Sequence, residues 1–300
     1  MALPLAVDLR LPMVVTLHGS VEPIADRYLL RSLRNAMYVM KRRATWLRTS
    51  KFLCVSRFIR DVALEAGYPA EKLLVHSTGI DLTRFGVGDA SLRDRKLVLF
   101  VGRLDEKKGC RYLVAAMAEV ERVHPGAKLL VIGDGAQRAS LEVQARTLGI
   151  RCAFAGTLAP TVVSDWLKKA WVFCGPSVRA RNGNSEGLGM VFAEAQASGL
   201  PVVSFAHGGI PEVVRHGETG LLAIEGDVGG LAAYLCEVLS DGYAWEAVSK
   251  RGVAWVKERF DLGVQTGILE DVYDQVVGRP YLAAKNTDGE TWKRSLSRAM

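Results

Sequence analysis

An α/β fold built on parallel strands is what this chain of 300 residues predicts, and three observations predict it. From Leu97 onward, short continuous apolar runs alternate with helical patterns of about ten to fifteen residues, as in βαβ units whose sheet is covered on both faces. Glycine-bearing turns follow several of these runs. The composition, 49% apolar and 24% charged, is that of a soluble globular chain long enough for one large core or two modest ones.

Taken in order, Met13–Leu17, Phe52–Val55 and Leu73–Val75 read as strands with two helices between them, about half of a doubly wound domain. In the helix near Asp26–Trp46, Leu29, Leu33, Ala36 and Met40 share one side at about 100° per residue, and Arg27, Arg31, Arg34, Lys41 and Arg42 share the other. Asp81–Arg95, rich in Gly, Asp and Arg, reads as a linker. Then Leu97–Val101 precedes a helix at Cys110–Val123, Lys128–Ile132 precedes Gln137–Leu148, and Cys152–Phe154 precedes a helix near Val162–Ala170. Trp171–Cys174, the helix after Gly189, the strand Pro201–Phe205 and a helix opened by His207-Gly208-Gly209 complete a Rossmann-like half. The expected division is 1–90, a partial amino-terminal domain, 91–278, a complete Rossmann-like domain with a parallel sheet, and 279–300, a polar tail.

The net charge of +7 is uneven, since residues 1–90 carry 13 Lys and Arg against 8 Asp and Glu. Ten basic and no acidic residues lie from Arg27 to Arg60, which is either a solvated face over a buried stripe or a contact for an anionic membrane or acceptor. No nucleic-acid recognition motif accompanies it. Five scattered cysteines without a Cys-x-x-Cys spacing read as small buried hydrophobes in a reducing compartment. No run reaches the roughly 18 apolar residues of a membrane span, so a cytoplasmic protein, peripheral at most on the inner face of the membrane, is expected.

The chemistry concentrates in the loops that follow strands. Gly102-Arg103-Leu-Asp-Glu-Lys-Lys108-Gly109 follows Leu97–Val101 at the carboxyl end, where open α/β sheets bind ligands, and it lacks the spacing of a Walker loop. Glu186-Gly187-Leu188-Gly189-Met190 opens an apolar helix that carries Glu194, eight positions after Glu186. Unpaired N–H groups at such a helix start suit a phosphate, the two cations add charge, and ionised glutamates accept hydrogen bonds from sugar and ribose hydroxyls. A diphosphate-sugar is the ligand this combination suggests. Gly133-Asp-Gly135 begins like a dinucleotide fingerprint but has Arg138 where the third Gly belongs, and it reads better as a tight turn. His18 ends the strand Met13–Leu17 and is either structural or functional. Arg179–Ser185 is a mobile loop or a long surface turn.

In this order the loops resemble the retaining sugar-nucleotide glycosyltransferases of family four, from about Pro12 to Val277. Gly-Arg-x4-Lys-Gly at Gly102–Gly109, Glu-x7-Glu at Glu186–Glu194 and Gly-Gly-Ile-Pro-Glu at Gly208–Glu212 carry the resemblance most specifically. Thr16-Leu-His18-Gly19, Val55-Ser56-Arg57 and Ser77-Thr-Gly79-Ile80-Asp81 support it. The resemblance implies a GT-B fold of two facing Rossmann-like domains. It implies that Arg103 and Lys108 bind the donor diphosphate beside Gly102, that Gly187, Leu188, Gly189 and Met190 offer amides, that Glu186 holds donor-sugar hydroxyls and Glu194 the ribose, that His18 sits across the cleft, and that Leu158 borders the base. No cofactor and no metal are expected, and the acceptor is a glycan or lipid-linked glycan.

Relatives in that family usually carry a full amino-terminal domain with a Gly-rich loop near its start, whereas about ninety residues precede the linker here. The expectation is a fragment, a different start, or one half of an enzyme whose partner chain supplies the missing part. Two functions follow: a retaining glycosyltransferase of surface polysaccharide or glycolipid synthesis, or a catalytically incomplete module that binds nucleotide sugar. A nicotinamide oxidoreductase is disfavoured by the failed fingerprint.

Overall fold

The computed structural model describes residues 6, 9, 11–19 and 45–278. Most of the basic helix expected near Asp26–Trp46, and the tail expected at 279–300, fall outside the described residues.

The amino-terminal part forms a parallel sheet in the order β1 (Met13–Leu17), β2 (Thr49–Cys54), β3 (Leu73–Val75), with Val15 beside Phe52 and Leu53 beside Leu74. Helix α1 (Arg57–Glu65) follows β2, and Ile59 and Ala63, four apart and therefore on one face, are buried. The Ser56 side chain accepts from the Ile59 amide and so caps the start of α1.

The larger sheet is also parallel, in the order β6-β5-β4-β7-β8-β9. Its elements are β4 (Leu97–Val101), α2 (Cys110–Val123), β5 (Lys128–Ile132), α3 (Arg138–Leu148), β6 (Cys152–Gly156), α4 (Pro160–Lys169) and β7 (Val172–Cys174). After these come α5 (Met190–Ala197), β8 (Val202–Phe205), α6 (Ile210–Val213), β9 (Gly220–Ala223), α7 (Val228–Leu239), α8 (Trp245–Arg259) and α9 (Leu262–Val277). Leu97 through Phe100 are buried without alternation, as a central strand covered on both faces requires. The chain moves outward from β4 to β6 and then returns to lay β7 on the other side of β4. This reversal makes the carboxyl ends of β4 and β7 the switch point where such sheets bind ligands.

The strands expected at Met13–Leu17, Leu73–Val75, Leu97–Val101 and Lys128–Ile132 stand as read, and other boundaries move by a few residues. Helix α4 starts at Pro160 rather than Val162, because proline suits the first helical position. Beyond Phe205 the sequence pattern assigns only the helix after Gly209, and the structure adds β9 and α7 to α9.

The linker expected at Asp81–Arg95 is firmly anchored. Buried Arg93 donates to the carbonyls of Leu167, Ala170 and Ser198, which end α4 and α5. The start of α9 also returns toward the smaller sheet: the Ile80 amide donates to the Phe260 carbonyl at 2.7 Å, the Leu262 amide donates to the Ile80 carbonyl at 3.0 Å, and a His76 ring nitrogen meets the Gln265 carbonyl at 2.9 Å. No helix among the described residues is long and apolar enough to cross a membrane. All five cysteines are unpaired, and Cys54, Cys110 and Cys174 are buried.

Candidate active site at the switch point

Two loops meet at the carboxyl ends of β4 and β7. In the first, the Asp105 side chain accepts from the Lys108 amide at 3.2 Å and caps the short turn Glu106–Lys108. Gly109 then turns left-handed with φ of 62°, and a Cβ there would fall 1.9 Å from the Pro176 carbonyl oxygen. Only glycine lets the loop lie this close to the second loop. The Val178 amide donates to the Lys107 carbonyl at 2.8 Å and fastens the two together.

This contact delivers Lys108 Nζ to Glu186 Oε2 at 2.6 Å, with Lys107 Nζ 3.9 Å from Oε1 and the Ser177 hydroxyl donating to Oε2 at 3.3 Å. Glu186 is buried, its side chain 9% exposed. Burial pushes its carboxyl upward, but Lys108 by charge and hydrogen bond, then Lys107 and Ser177, outweigh burial and hold it below the ordinary value. Glu186 is therefore held as a carboxylate at neutral pH.

Directly after Glu186, the amides of Gly187, Leu188, Gly189 and Met190 form no hydrogen bond with another described residue. They are the orphan donors at the start of α5, beside a lysine, and can accept an anion. Gly187 also faces the smaller sheet, because a Cβ on it would fall 2.4 Å from the His18 carbonyl oxygen. His18 is thus at the cleft's edge by its backbone, with an exposed side chain.

Glu194 lies in the second turn of α5, half-buried, and no described residue donates a hydrogen bond to its carboxylate. Burial raises its pKa above the ordinary value against the opposing charges of Arg84 and Lys108. An under-satisfied carboxylate near Lys108 has room for hydroxyl donors.

Arg103 stands apart from this cluster. Its side chain is 75% exposed, and the guanidinium pairs with Asp105 at 3.3 Å instead of converging with Lys108. Gly102, at the end of β4, would meet only ordinary contacts with a Cβ, one of them the Lys108 side chain. Leu158 follows β6, two strands away from β4, half-buried against the core and outside the Lys108–Glu186 cluster. The Gly133-Asp-Gly135 turn packs beneath the first loop, where the Leu104 amide donates to the Asp134 carbonyl at 2.9 Å, in keeping with its reading as a turn.

The loop Gly208–Glu212 packs directly on the Glu186–Gly187 backbone, with the Gly209 amide on the Glu186 carbonyl at 3.0 Å. Preceding it, buried His207 meets Glu225 through Nδ1 at 2.7 Å, and the same carboxylate takes the Arg179 amide at 2.7 Å. The Arg179–Ser185 segment is thereby tied at its start, and the Ala180 amide closes it on itself by donating to the Asn184 carbonyl at 2.8 Å. Lys107, Ser177, Ser56 and Glu212 are the cleft residues that sequence reasoning gave no role. The Lys-Lys doublet was a readable signal for the first, and a serine before an apolar helix for Ser56.

Residues 89–255 match the family of group 1 glycosyl transferases, and residues 1–84 match glycosyltransferase family 4. The chain is 35% identical over 199 residues to the amylovoran biosynthesis glycosyltransferase AmsK of Erwinia amylovora, a match covering 64% of this chain and 48% of that one. It is 32% identical over 214 residues to a GDP-mannose-dependent alpha-(1-6)-phosphatidylinositol monomannoside mannosyltransferase of Mycobacterium tuberculosis, covering 67% of this chain and 56% of the relative. The chain thus spans about half the length of these two relatives. Among solved structures, Anabaena Alr3699/HepE in complex with UDP and glucose superposes with a TM-score of 0.77 at 22% identity, covering 91% of this chain and 74% of that one. The fold is shared with such GT-B glycosyltransferases.

Proposed function

The chain belongs to the group 1 glycosyl transferases, and we propose that it moves a hexosyl group from a nucleoside-diphosphate sugar to an acceptor hydroxyl with retention at the anomeric carbon. The observation that carries this reading is the Lys108–Glu186 pair beside four unengaged amides at the switch point. As the bond from the anomeric carbon to the diphosphate oxygen breaks, negative charge grows on the departing group. Lys108, whose ammonium keeps two protons beyond the one given to Glu186, and the amides of α5 strengthen their hold as that charge appears, which lowers the barrier. The acceptor oxygen attacks the same face, and its proton passes to the departing phosphate oxygen. Glu186 orients donor-sugar hydroxyls, Glu194 the ribose, and His18 the reacting face from across the cleft. Arg103 swings in from solvent to the diphosphate, and Leu158 borders the base.

The relatives' activities, amylovoran biosynthesis and mannosyl transfer to a phosphatidylinositol mannoside, favour surface polysaccharide or glycolipid as the product class. The acceptor would be a glycan or lipid-linked glycan presented at the inner face of the membrane. A second reading rests on length: a chain matching 48% of one relative can be a donor-binding half completed by a partner chain.

The test is a thermal-shift screen of nucleotide sugars, in which a hundredfold excess over the dissociation constant stabilises by about 2.7 kcal/mol. Release of nucleoside diphosphate is then followed with and without acceptor, and the product's anomeric configuration is read by NMR. Binding with turnover and a retained configuration supports the first reading, binding without turnover the second, and no shift with any donor sinks both. Turnover is expected to survive chelation, since lysine and amides supply the positive charge.

A further inference from the structure

The first turn of α1 leaves three backbone donors to be satisfied, the amides of Arg57, Phe58 and Ile59, because the Arg60 amide already reaches the Ser56 carbonyl at 3.1 Å. Ser56 serves only Ile59, at 3.1 Å. The other two are taken from across the cleft: the Arg57 amide donates to Glu212 Oε2 at 2.8 Å and the Phe58 amide to Oε1 at 2.9 Å. Each oxygen of one carboxylate thus takes one amide at the positive end of a helix, where a negative charge is favoured.

The exchange is reciprocal. Ser56, fully buried, has one hydroxyl proton, and it goes to the Gly187 carbonyl at 2.6 Å. Gly187 is the residue whose missing side chain admits the His18 carbonyl, so the loops that end β1 and β2 both rest on it. A trans peptide is planar, so fixing the Gly187 carbonyl also fixes the direction of the Leu188 N–H, one of the unengaged amides next to Glu186. Glu212 itself is carried by α6, behind that same loop, through the Gly209 amide on the Glu186 carbonyl.

We propose that Ser56 and Glu212 form a clamp between the two sheets and act as positioning residues, holding the His18 wall against the Gly187–Met190 loop in the register that transfer requires. The functional half of this inference rests on the proposed donor site, whereas the clamp can be tested without any ligand.

The clamp arm is amide hydrogen exchange on the full chain, comparing Glu212→Ala, Glu212→Gln and Ser56→Ala with the unmodified protein. Loss of a charge-assisted bond should speed exchange at Arg57 and Phe58 by about tenfold in Glu212→Ala and by less in Glu212→Gln, leaving strands β4 and β5 unchanged. Unaltered exchange at Arg57 and Phe58 in a Glu212→Ala chain that melts cooperatively overturns the clamp. The functional arm separates binding from chemistry. The donor is held by the six-stranded side, so its dissociation constant and stoichiometry should stay within about threefold while kcat falls by about tenfold or more. A fall in kcat matched by an equal fall in binding stoichiometry would mean that these residues only keep the chain folded. Altered exchange in a chain that transfers no sugar would keep the clamp and remove the glycosyltransferase reading separately.

Discussion

At the amino end of α5 a glutamate is enclosed by partners, while two turns further along the same segment another receives no hydrogen bond from a described residue. Glu186 is held by Lys108 at 2.6 Å, Lys107 at 3.9 Å and Ser177 at 3.3 Å, whereas no described residue donates a hydrogen bond to Glu194. Their acidities diverge accordingly. Both are pushed upward by burial, but the lysines bring Glu186 below its ordinary value, and the more distant Arg84 and Lys108 leave Glu194 above it. One carboxylate is therefore bound into the folded framework, and the other keeps its acceptor positions open among the described residues.

The largest effect expected is for Lys108→Ala. In the proposed reaction it removes a cation from the departing diphosphate, and losing one such electrostatic contact typically lowers turnover by about 10²–10³. It also strips Glu186 of its closest counter-charge. Breaking a buried pair from one side costs about 3–5 kcal/mol, and Lys107 and Ser177 should keep the loss near the lower bound. Pairing Lys108→Ala with Glu186→Gln should recover part of that stability, because no uncompensated charge remains buried. A Lys108→Ala chain that melts at the unmodified temperature would break the contrast between the two glutamates.

Next in size is the opposite pH behaviour of the two sites. Glu194 has a folded pKa above its ordinary value, so it favours the folded state fully only below that value, and the contribution disappears as pH rises through the folded pKa. Glu194→Gln should then melt higher than the unmodified chain at neutral pH, with the gain fading as the medium becomes acidic. Glu186 has a lowered folded pKa, so its contribution is present above its ordinary value and is lost as pH falls through the folded one. Glu186→Gln should melt lower at neutral pH and converge with the unmodified chain in acid. Melting curves between about pH 4 and 8 measure both, and a same-sign effect at neutral pH would show that the two environments are not distinct. In the proposed enzyme, Glu194→Gln should still raise the donor KM by about tenfold, as loss of one hydrogen bond to a charged group implies.

Why one glutamate's partners are hidden in the sequence is a matter of topology. Strand β4 and its loop were readable because Leu97–Val101 is a continuous apolar run followed by Gly102 and a cluster of charges. The Glu186 loop was readable because two glycines precede an apolar helix. That Lys108 and Glu186 touch depends on β7 lying beside β4 across a separation of 78 residues, and no local pattern encodes that return. The same holds more strongly for Glu212 and the α1 amides, 155 residues apart. Helix α7 was illegible for a local reason: it opens on Val228-Gly229-Gly230, which reads as a turn. The Asp227 side chain nevertheless caps Gly230 at 2.9 Å, and Leu231, Leu235 and Val238 are buried, so packing overrides the weak propensity.

Arg103 gives the smallest effect and sharpens the comparison from the other direction. Its side chain is 75% exposed and paired with Asp105 at 3.3 Å, a surface contact of the kind that contributes about 0–1 kcal/mol. Arg103→Ala should therefore leave the melting temperature nearly unchanged. Turnover should fall by about tenfold, less than for Lys108→Ala, because a side chain drawn in from solvent gives up hydration and conformational freedom that Lys108, already seated, does not. The deficit should shrink as salt is added, since an exposed cation is screened more than a half-buried one. A loss as large as that of Lys108→Ala, and insensitive to salt, would mean that donor binding draws the loop inward until Arg103 is as enclosed as Lys108, and the line between framework charge and ligand charge would have to be redrawn around both residues.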